Sequence, residues 1–184
     1  MTKQDLAARI WATANELRKN IKASEYKDYI LGFMFYKYLC DKELDTLHDA
    51  GGELEDIKDA TENTEALFRD KLGYFIRYDD LFCVWKEAGV ALGAKEVSEA
   101  IERFYLGLDD ERRKVFSDIF SALQSGLTKL GADAGSRDKA VRDIVDLVHL
   151  IPPTSRDYDV LVDIDNSSFN DSLIPAFLTS DRKL

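Results

Sequence analysis

Proline and glycine are scarce in this chain, with 3 Pro and 10 Gly among 184 residues. That composition excludes a collagen-like or low-complexity chain and argues against an all-β fold with many turns. No apolar run reaches the roughly 18 residues that a membrane-spanning helix requires. The first residues also lack the basic segment and apolar run that are typical of a signal peptide. We therefore expect a cytoplasmic protein without membrane contact.

Cysteine and histidine are equally sparse, with two of each. Cys40 and Cys83 stand in apolar surroundings and far apart, so we expect two buried, reduced thiols. His48 and His149 offer no clustered pair of the kind that zinc sites use. Glycine-rich phosphate loops and nucleophile motifs are also missing. The sequence therefore predicts no metal, no cofactor and no catalytic residue within this chain.

Acidic residues outnumber basic ones, with 35 Asp+Glu against 25 Lys+Arg and a formal net charge of −10. This balance disfavours unaided, non-specific DNA binding, because phosphate affinity depends on concentrated Lys and Arg. A nucleic-acid role would therefore rest on a local basic patch or on a partner. The carboxylates concentrate between Glu53 and Glu65, where we expect a solvated acidic surface.

What the sequence does contain is helical periodicity. Thr2-Lys3-Gln4-Asp5 has the form of a capping box and predicts a helix over 3–20. Ser24 is placed to cap a second helix, and the residues from Tyr26 to Cys40 are apolar around most of a helix circumference. They predict a central helix, buried on several sides, that ends by Gly51-Gly52.

The remaining pattern completes a bundle. Before residue 90 we predict one or two short helices within 53–70, an extended segment over 72–78 and a short helix near 79–88. After it we predict an amphipathic helix from Val97 to Leu108 and a helix-packing seam from Phe116 to Leu130. A loop from Gly131 to Gly135 and a last helix from Ala140 to Ile151 follow. The predicted fold class is mainly α: a helical bundle with a central buried helix and at most a short extended segment.

Basic residues cluster at three places, and ordinary solvated surface is the alternative interpretation of each. The first group is the best candidate for phosphate contacts, because four cations and a neutral amide converge near the junction of the first two predicted helices. Its members are Arg18, Lys19, Asn20, Lys22 and Lys27. The other groups are Arg112-Arg113-Lys114 and, after the glycine loop, Arg137, Lys139 and Arg142.

Between Leu6 and Lys42 the chain carries a family pattern. Its residues are Ile10-Trp11, Ala14, Leu17-Arg18, Ser24-Glu25-Tyr26-Lys27, Leu31-Gly32, Phe35 and Lys37-Tyr38-Leu39. Further matches follow at Gly73-Tyr74-Phe75-Ile76 and Tyr158-Asp159-Val160-Leu161. Over about residues 5–163 the chain resembles the N-terminal helical domain of the DNA-methylase (modification) subunit of type I restriction-modification systems.

The resemblance implies a function for the intact subunit. That subunit would methylate adenine N6 in DNA with S-adenosylmethionine, together with a specificity subunit, a second methylase subunit and a restriction subunit. This domain would help two methylase subunits close around duplex DNA and sense the methylation state of the target adenine, without being catalytic. The alternative is a protein-interaction module that docks the methylase and specificity subunits and never touches DNA.

In that family the next segment leads into a catalytic domain with an S-adenosylmethionine loop and an Asn-Pro-Pro-aromatic motif. Here the sequence becomes polar and unpatterned from about Val162. We therefore expect a helical bundle domain over 1–157 and, over 158–184, a weakly ordered link toward a catalytic domain that the sequence lacks. The chain would be an excised domain or a truncated gene product.

Overall fold

A computed structural model describes residues 23–150, and these form seven α-helices and two short 3-10 helices without a strand. The α-helices are α1 (Ala23–Asp49), α2 (Leu54–Lys58), α3 (Glu62–Leu72), α4 (Phe82–Ala88), α5 (Ala94–Leu106), α6 (Asp110–Leu127) and α7 (Ala134–His149). The 3-10 helices are Tyr78–Asp80 and Gly89–Ala91. The prediction of a mainly α bundle is confirmed.

Helix α1 is the predicted central helix. It packs against α4, α6 and α7, and its buried side chains point in several directions, as the all-round apolar pattern predicts. The helix ends at Asp49, and Gly51 adopts φ +79°, a conformation that favours glycine. The predicted stop at the double glycine is therefore confirmed.

The crossing of α1 and α6 is close because each helix contributes a glycine. A Cβ on Gly32 would lie 3.1 Å from Leu123, and one on Gly126 would overlap the ring of Tyr29. Beside this crossing, Phe35 packs edge-on against Phe116, with ring centroids 5.1 Å apart. The predicted seam along α6 is thus part of the core.

Helices α2 and α3 confirm the two short helices predicted in the acidic stretch. Glu53 and Asp56 form a capping box at the start of α2, and Thr61 caps α3 by accepting the N–H of Thr64. Each helix buries a narrow face, and most of its carboxylates are exposed to solvent. This part of the surface is therefore acidic, as expected.

Several boundaries differ from the sequence prediction. Ser24, predicted to cap the central helix, lies within α1, and α5 runs over Ala94–Leu106 rather than from Val97 to Leu108. The loop predicted from Gly131 to Gly135 is shorter, because Asp133 caps α7 by accepting the N–H of Ser136 at 2.9 Å and places Gly135 in the first turn. Helix α6 ends at Leu127, so Leu130 of the predicted seam is buried in the turn that follows. Helix α7 ends at His149, before the predicted limit of Ile151.

The two thiols also differ from each other. Cys40 is buried in the core, as predicted, whereas Cys83 is only half-buried, so the prediction of burial is wrong for Cys83. Two sequence predictions, the helix over 3–20 and the link over 158–184, lie outside the described residues. Within residues 23–150 no helix is long and apolar enough to cross a membrane.

Candidate nucleic-acid interface

The basic patch predicted from the sequence lies almost entirely outside the described residues. Arg18, Lys19, Asn20 and Lys22 precede the start of α1 at Ala23. Lys27 lies within the first two turns of α1, in a part of the helix whose side chains are not described. The convergence of these residues on one site stays a prediction.

Charge is divided unevenly between this segment and the rest of the bundle. Residues 1–22 hold 5 Lys+Arg and 2 Asp+Glu, a net charge of +3, whereas residues 23–150 hold 17 Lys+Arg and 27 Asp+Glu, a net charge of −10. The described part of the domain is therefore strongly acidic, and the positive excess lies in the segment that contains four of the predicted site residues.

The second basic cluster lies at the start of α6, as predicted, and its two arginines bind within the domain. Arg113 donates from Nη2 to the carbonyl oxygens of Leu106 at 3.2 Å and Leu108 at 2.7 Å, so it holds the turn between α5 and α6. Arg112 pairs with Asp109 in that turn. These interactions show that both guanidinium groups stabilise the fold.

Lys114, the third member of this cluster, borders a cleft between α5 and α6. The cleft has a volume of about 310 Å³ and is lined by Tyr105, Asp110, Arg113, Lys114 and Ser117. Lys114 is exposed and forms no ion pair with residues 23–150. It is thus a cation of this cluster that is left open to solvent.

The third basic cluster lies on α7 and also acts within the fold. Arg142 donates from Nη1 to the carbonyl oxygen of Leu92 at 2.9 Å, and Asp138, one turn earlier, accepts the N–H of Ala94 at 2.9 Å. The two side chains together clamp the loop that leads into α5. Lys139 forms an ion pair with Asp143 on the same helix at 2.6 Å.

A buried carboxyl that the sequence did not reveal lies beneath the segment Gly73–Ile76, here called the strap. Both oxygens of Glu43 on α1 face the N–H of Ile76, at 2.9 and 3.2 Å. Burial raises the pKa of Glu43 from 4.5 to about 8, against the opposing effects of the Ile76 N–H and the Arg69 charge. Glu43 is enclosed by the core, so it serves the fold and not a substrate.

A second internal polar group joins the first 3-10 helix to α5. The carboxylate of Asp80 accepts two hydrogen bonds from Arg103, at 2.6 and 3.0 Å, and the carbonyl oxygen of Asp80 accepts the hydroxyl of Tyr36 at 3.0 Å. In sequence, Asp80 looks like any acidic turn residue. The burial of Glu43, by contrast, could have been predicted from the sequence, because Glu43 follows Tyr36 by seven residues and precedes Leu47 by four, the spacing of one buried helix face.

The strap is the second block of the family pattern, and it packs against the end of the first block on α1. The hydroxyl of Tyr74 donates to the carbonyl oxygen of Leu39 at 2.9 Å, and Ile76 is bound by Glu43. Gly73 has φ +82° and lies against the guanidinium group of Arg112. In the described part of the chain, residues of the family pattern therefore form the contacts between the strap and α1. The segment predicted to be extended over 72–78 is non-helical from Gly73 to Arg77.

The described residues show no arrangement for covalent chemistry. No group of three or more His, Cys, Asp or Glu within residues 23–150 could hold a metal ion. The thiol of Cys40 is buried, and burial raises its pKa well above the usual value, which keeps it uncharged.

Comparison with known proteins finds a solved structure with a similar fold. In a crystal structure, the methyltransferase subunit of the type I restriction-modification system from Streptococcus thermophilus aligns with a TM-score of 0.69 and 24% identity. The alignment covers 89% of this chain and 37% of that subunit, so the chain spans little more than a third of its length. No curated protein matches the chain.

The protein is an α-helical domain of the kind found in type I methyltransferase subunits. The model of the HsdM N-terminal domain family matches residues 6–148, which is well over half of the chain. The chain belongs to this family. The resemblance to the N-terminal helical domain of the methylase subunit of type I restriction-modification systems is thereby confirmed.

Proposed function

We propose that this domain helps the methyltransferase subunit of a type I restriction-modification enzyme to close around duplex DNA and to assemble with its partner subunits. The intact subunit would transfer a methyl group from S-adenosylmethionine to adenine N6. Its partners would be a second methylase subunit, a specificity subunit and a restriction subunit. This domain would sense the methylation state of the target adenine and would not be catalytic.

The observation that carries the proposal is the family match over residues 6–148. The charge distribution supports a limited contact with DNA. A net charge of −10 over residues 23–150 disfavours a broad DNA-binding surface, whereas the +3 of residues 1–22 suits contact with a few phosphates. The specificity subunit would then read the bases, and this domain would contact the backbone along one basic edge.

Replacing Arg18, Lys19 and Lys22 with Ala tests this proposal in the intact subunit, assembled with its specificity subunit. We expect weaker binding to duplex DNA and a salt dependence that is shallower by up to about three charges, because each lost phosphate contact lowers the slope by about one. The control removes three exposed lysines elsewhere, Lys58, Lys95 and Lys129. If both triple variants bind DNA alike, the N-terminal patch does not contact it.

The competing function is a module that docks the methylase and specificity subunits without touching DNA. It is favoured by the internal use of Arg112, Arg113 and Arg142, which leaves few cations for a ligand. Replacing Arg18 and Lys22 with Glu separates the two functions. Impaired DNA binding by a fully assembled enzyme supports the clamp, whereas loss of subunit assembly, measured by size-exclusion chromatography with light scattering, supports the docking module.

A further inference from the structure

The cleft between α5 and α6 combines positive charge with a concave shape. Lys114 and Ser117 lie one turn apart on α6, and Tyr105 forms the opposite wall on α5. The guanidinium group of Arg113 lies over the ring of Tyr105, 5.8 Å from its centroid. Because Arg113 and Lys114 are opposed by Asp110 alone among the lining residues, the cleft carries a net charge of +1.

Arg113 is already held in place before any ligand arrives. Its Nη2 group uses both N–H donors on backbone carbonyl oxygens, its Nε donates to Tyr105 O at 3.4 Å, and its Nη1 donates to Asp110 at 3.3 Å. A guanidinium group has five N–H donors. One Nη1 donor therefore remains without a partner among the described residues, and using it would cost little side-chain entropy.

Eight cations of the described part have a carboxylate partner, whereas Lys114 has none among residues 23–150. The paired residues are Lys37, Arg69, Lys86, Lys95, Arg103, Arg112, Arg113 and Lys139. The ammonium group of Lys114 is exposed at the cleft and forms no such pair with residues 23–150. It can therefore bind an anion without first losing an ion pair.

We propose that this cleft binds a phosphate group of the DNA backbone, with Lys114 and the open Nη1 donor of Arg113 as charged donors. The hydroxyl of Ser117 donates to the carbonyl oxygen of Lys114 at 3.0 Å, and rotation of its hydrogen adds a neutral donor. This site rests on the proposed function and adds a second DNA contact to it, far along the sequence from the N-terminal patch. Asp110 weakens the attraction for an anion.

The first test is Lys114→Ala in the intact methyltransferase subunit, assembled with its specificity subunit and titrated with a short DNA duplex. We expect binding to weaken about five- to tenfold near 0.1 M salt and the salt slope to fall by about one. Lys95→Ala is the matched control, because Lys95 is an exposed lysine on α5 that does not line the cleft. The control should leave both quantities unchanged.

A second variant moves the affinity in the other direction. Asp110→Asn removes the carboxylate from the cleft, so DNA binding should tighten severalfold, whereas Asp70→Asn, at an exposed position of α3 outside the cleft, should have little effect. Thermal unfolding of each variant shows whether the change in charge alters the fold. A merely structural role of these residues does not predict tighter binding.

The outcomes are distinct. If Lys114→Ala binds DNA as Lys95→Ala does, or if it lowers subunit assembly at an unchanged salt slope, the cleft is not a phosphate site and the proposal is wrong. In both cases the N-terminal patch and the proposed function are still tested by the Arg18, Lys19 and Lys22 variant. If that variant also binds normally, neither basic site contacts DNA, and the proposed clamp is contradicted as well.

Discussion

The two halves of α1 differ in burial and are held by different forces: almost every position of the first half is buried, whereas the second half mixes buried with half-buried and exposed positions. The first, here the apolar half, runs from Tyr29 to Tyr36 and packs through shape and aromatic contacts. The second, here the polar half, runs from Lys37 to Leu47 and includes Lys37 and Glu43 among its buried side chains. One helix thus changes from dispersion and hydrophobic contacts to directed hydrogen bonds within a few turns.

The apolar half depends on close approach. Gly32 admits Leu123, Gly126 admits the ring of Tyr29, and Tyr36 stacks on Trp85 with ring centroids 4.8 Å apart and planes 5° from parallel. Contacts of this kind contain no group that titrates near neutral pH. We therefore expect the stability contributed by this half to depend on side-chain volume and not on pH.

The polar half is held by two hydrogen bonds to a segment far away in sequence and by one ion pair within the helix itself. Glu43 binds the N–H of Ile76, the carbonyl oxygen of Leu39 accepts the hydroxyl of Tyr74, and Lys37 pairs with Asp41 one turn away. A buried polar group is costly when it loses its partner. The strap thus supplies the partners of the Glu43 carboxyl group and of the Leu39 carbonyl oxygen.

The largest expected effect comes from breaking the apolar half at its closest point. Gly126→Ala places a methyl group against the ring of Tyr29, which is only 4% exposed, so one of the two helices or the ring must shift. We expect the free energy of unfolding of the chain to fall by about 3 kcal/mol, at the upper end for overpacked cores. Urea unfolding followed by circular dichroism measures the change.

Gly135→Ala is the control for helix propensity. Gly135 lies in the first turn of α7, where a Cβ would meet nothing closer than Asp133 at 3.4 Å. The same substitution should therefore be neutral or stabilising by up to about 1 kcal/mol. Equal effects at both glycines would show that the crossing of α1 and α6 is not tightly packed.

An effect that depends on pH should come from the polar half. Glu43 has a pKa of about 8 in the fold because burial disfavours its charge, whereas its ordinary pKa, which it regains on unfolding, is 4.5. Between these values the folded chain keeps a proton that the unfolded chain releases. The stability from Glu43 is thus fully present below pH 4.5 and falls with rising pH through about 8, at roughly 1 kcal/mol per pH unit.

Glu43→Gln should abolish this slope, because the amide oxygen still accepts the N–H of Ile76 and carries no charge at any pH. The variant should therefore match the parent chain at the acidic end of the window and exceed its stability at the alkaline end. Glu102→Gln, at an exposed position of α5, serves as the control and should keep the parent slope. An unchanged slope in Glu43→Gln would contradict a buried, protonated Glu43.

The sequence predicts the apolar half better than the polar half, and the reason is physical. Helical periodicity follows from local spacing, so the run from Tyr26 to Cys40 and the seam from Phe116 predict α1 and α6. Hydrogen bonds across 33 to 35 residues, such as those that Glu43 and Leu39 form with the strap, leave no local pattern. Asp80 and Arg103 look like surface charges until the fold brings them together.

For the candidate site, the sequence identified where cations cluster but not how each is used. In the sequence, Arg113, Arg142 and Lys114 are all members of basic clusters and cannot be told apart by use. In the structure, both arginines donate to backbone carbonyl oxygens. These acceptors lie 5 and 50 residues away from the arginines that bind them. Which cation stays open to a ligand therefore depends on turn geometry, which composition and spacing do not specify.

The smallest expected effect comes from a substitution that removes the hydroxyl of Tyr74 and keeps its ring. Tyr74→Phe keeps the edge-on contact with Phe104 but removes the hydrogen bond to the carbonyl oxygen of Leu39. We expect a loss of about 1 kcal/mol in the free energy of unfolding. Tyr78→Phe should change it by less than about 0.5 kcal/mol, because the Tyr78 hydroxyl has no hydrogen-bond partner among residues 23–150.

The loss of stability in Tyr74→Phe should stay this small because the carbonyl oxygen of Leu39 keeps a second hydrogen-bond donor. It lies inside α1, where the N–H of Glu43, four residues on, donates to it. Glu43 holds the adjoining end of the strap independently, so either bond alone should keep the strap in place. If Tyr74→Phe and Glu43→Leu, which removes the acceptor of the Ile76 N–H, together cost much more than their sum, the two bonds act cooperatively, and the polar half is a single latch rather than two separate contacts.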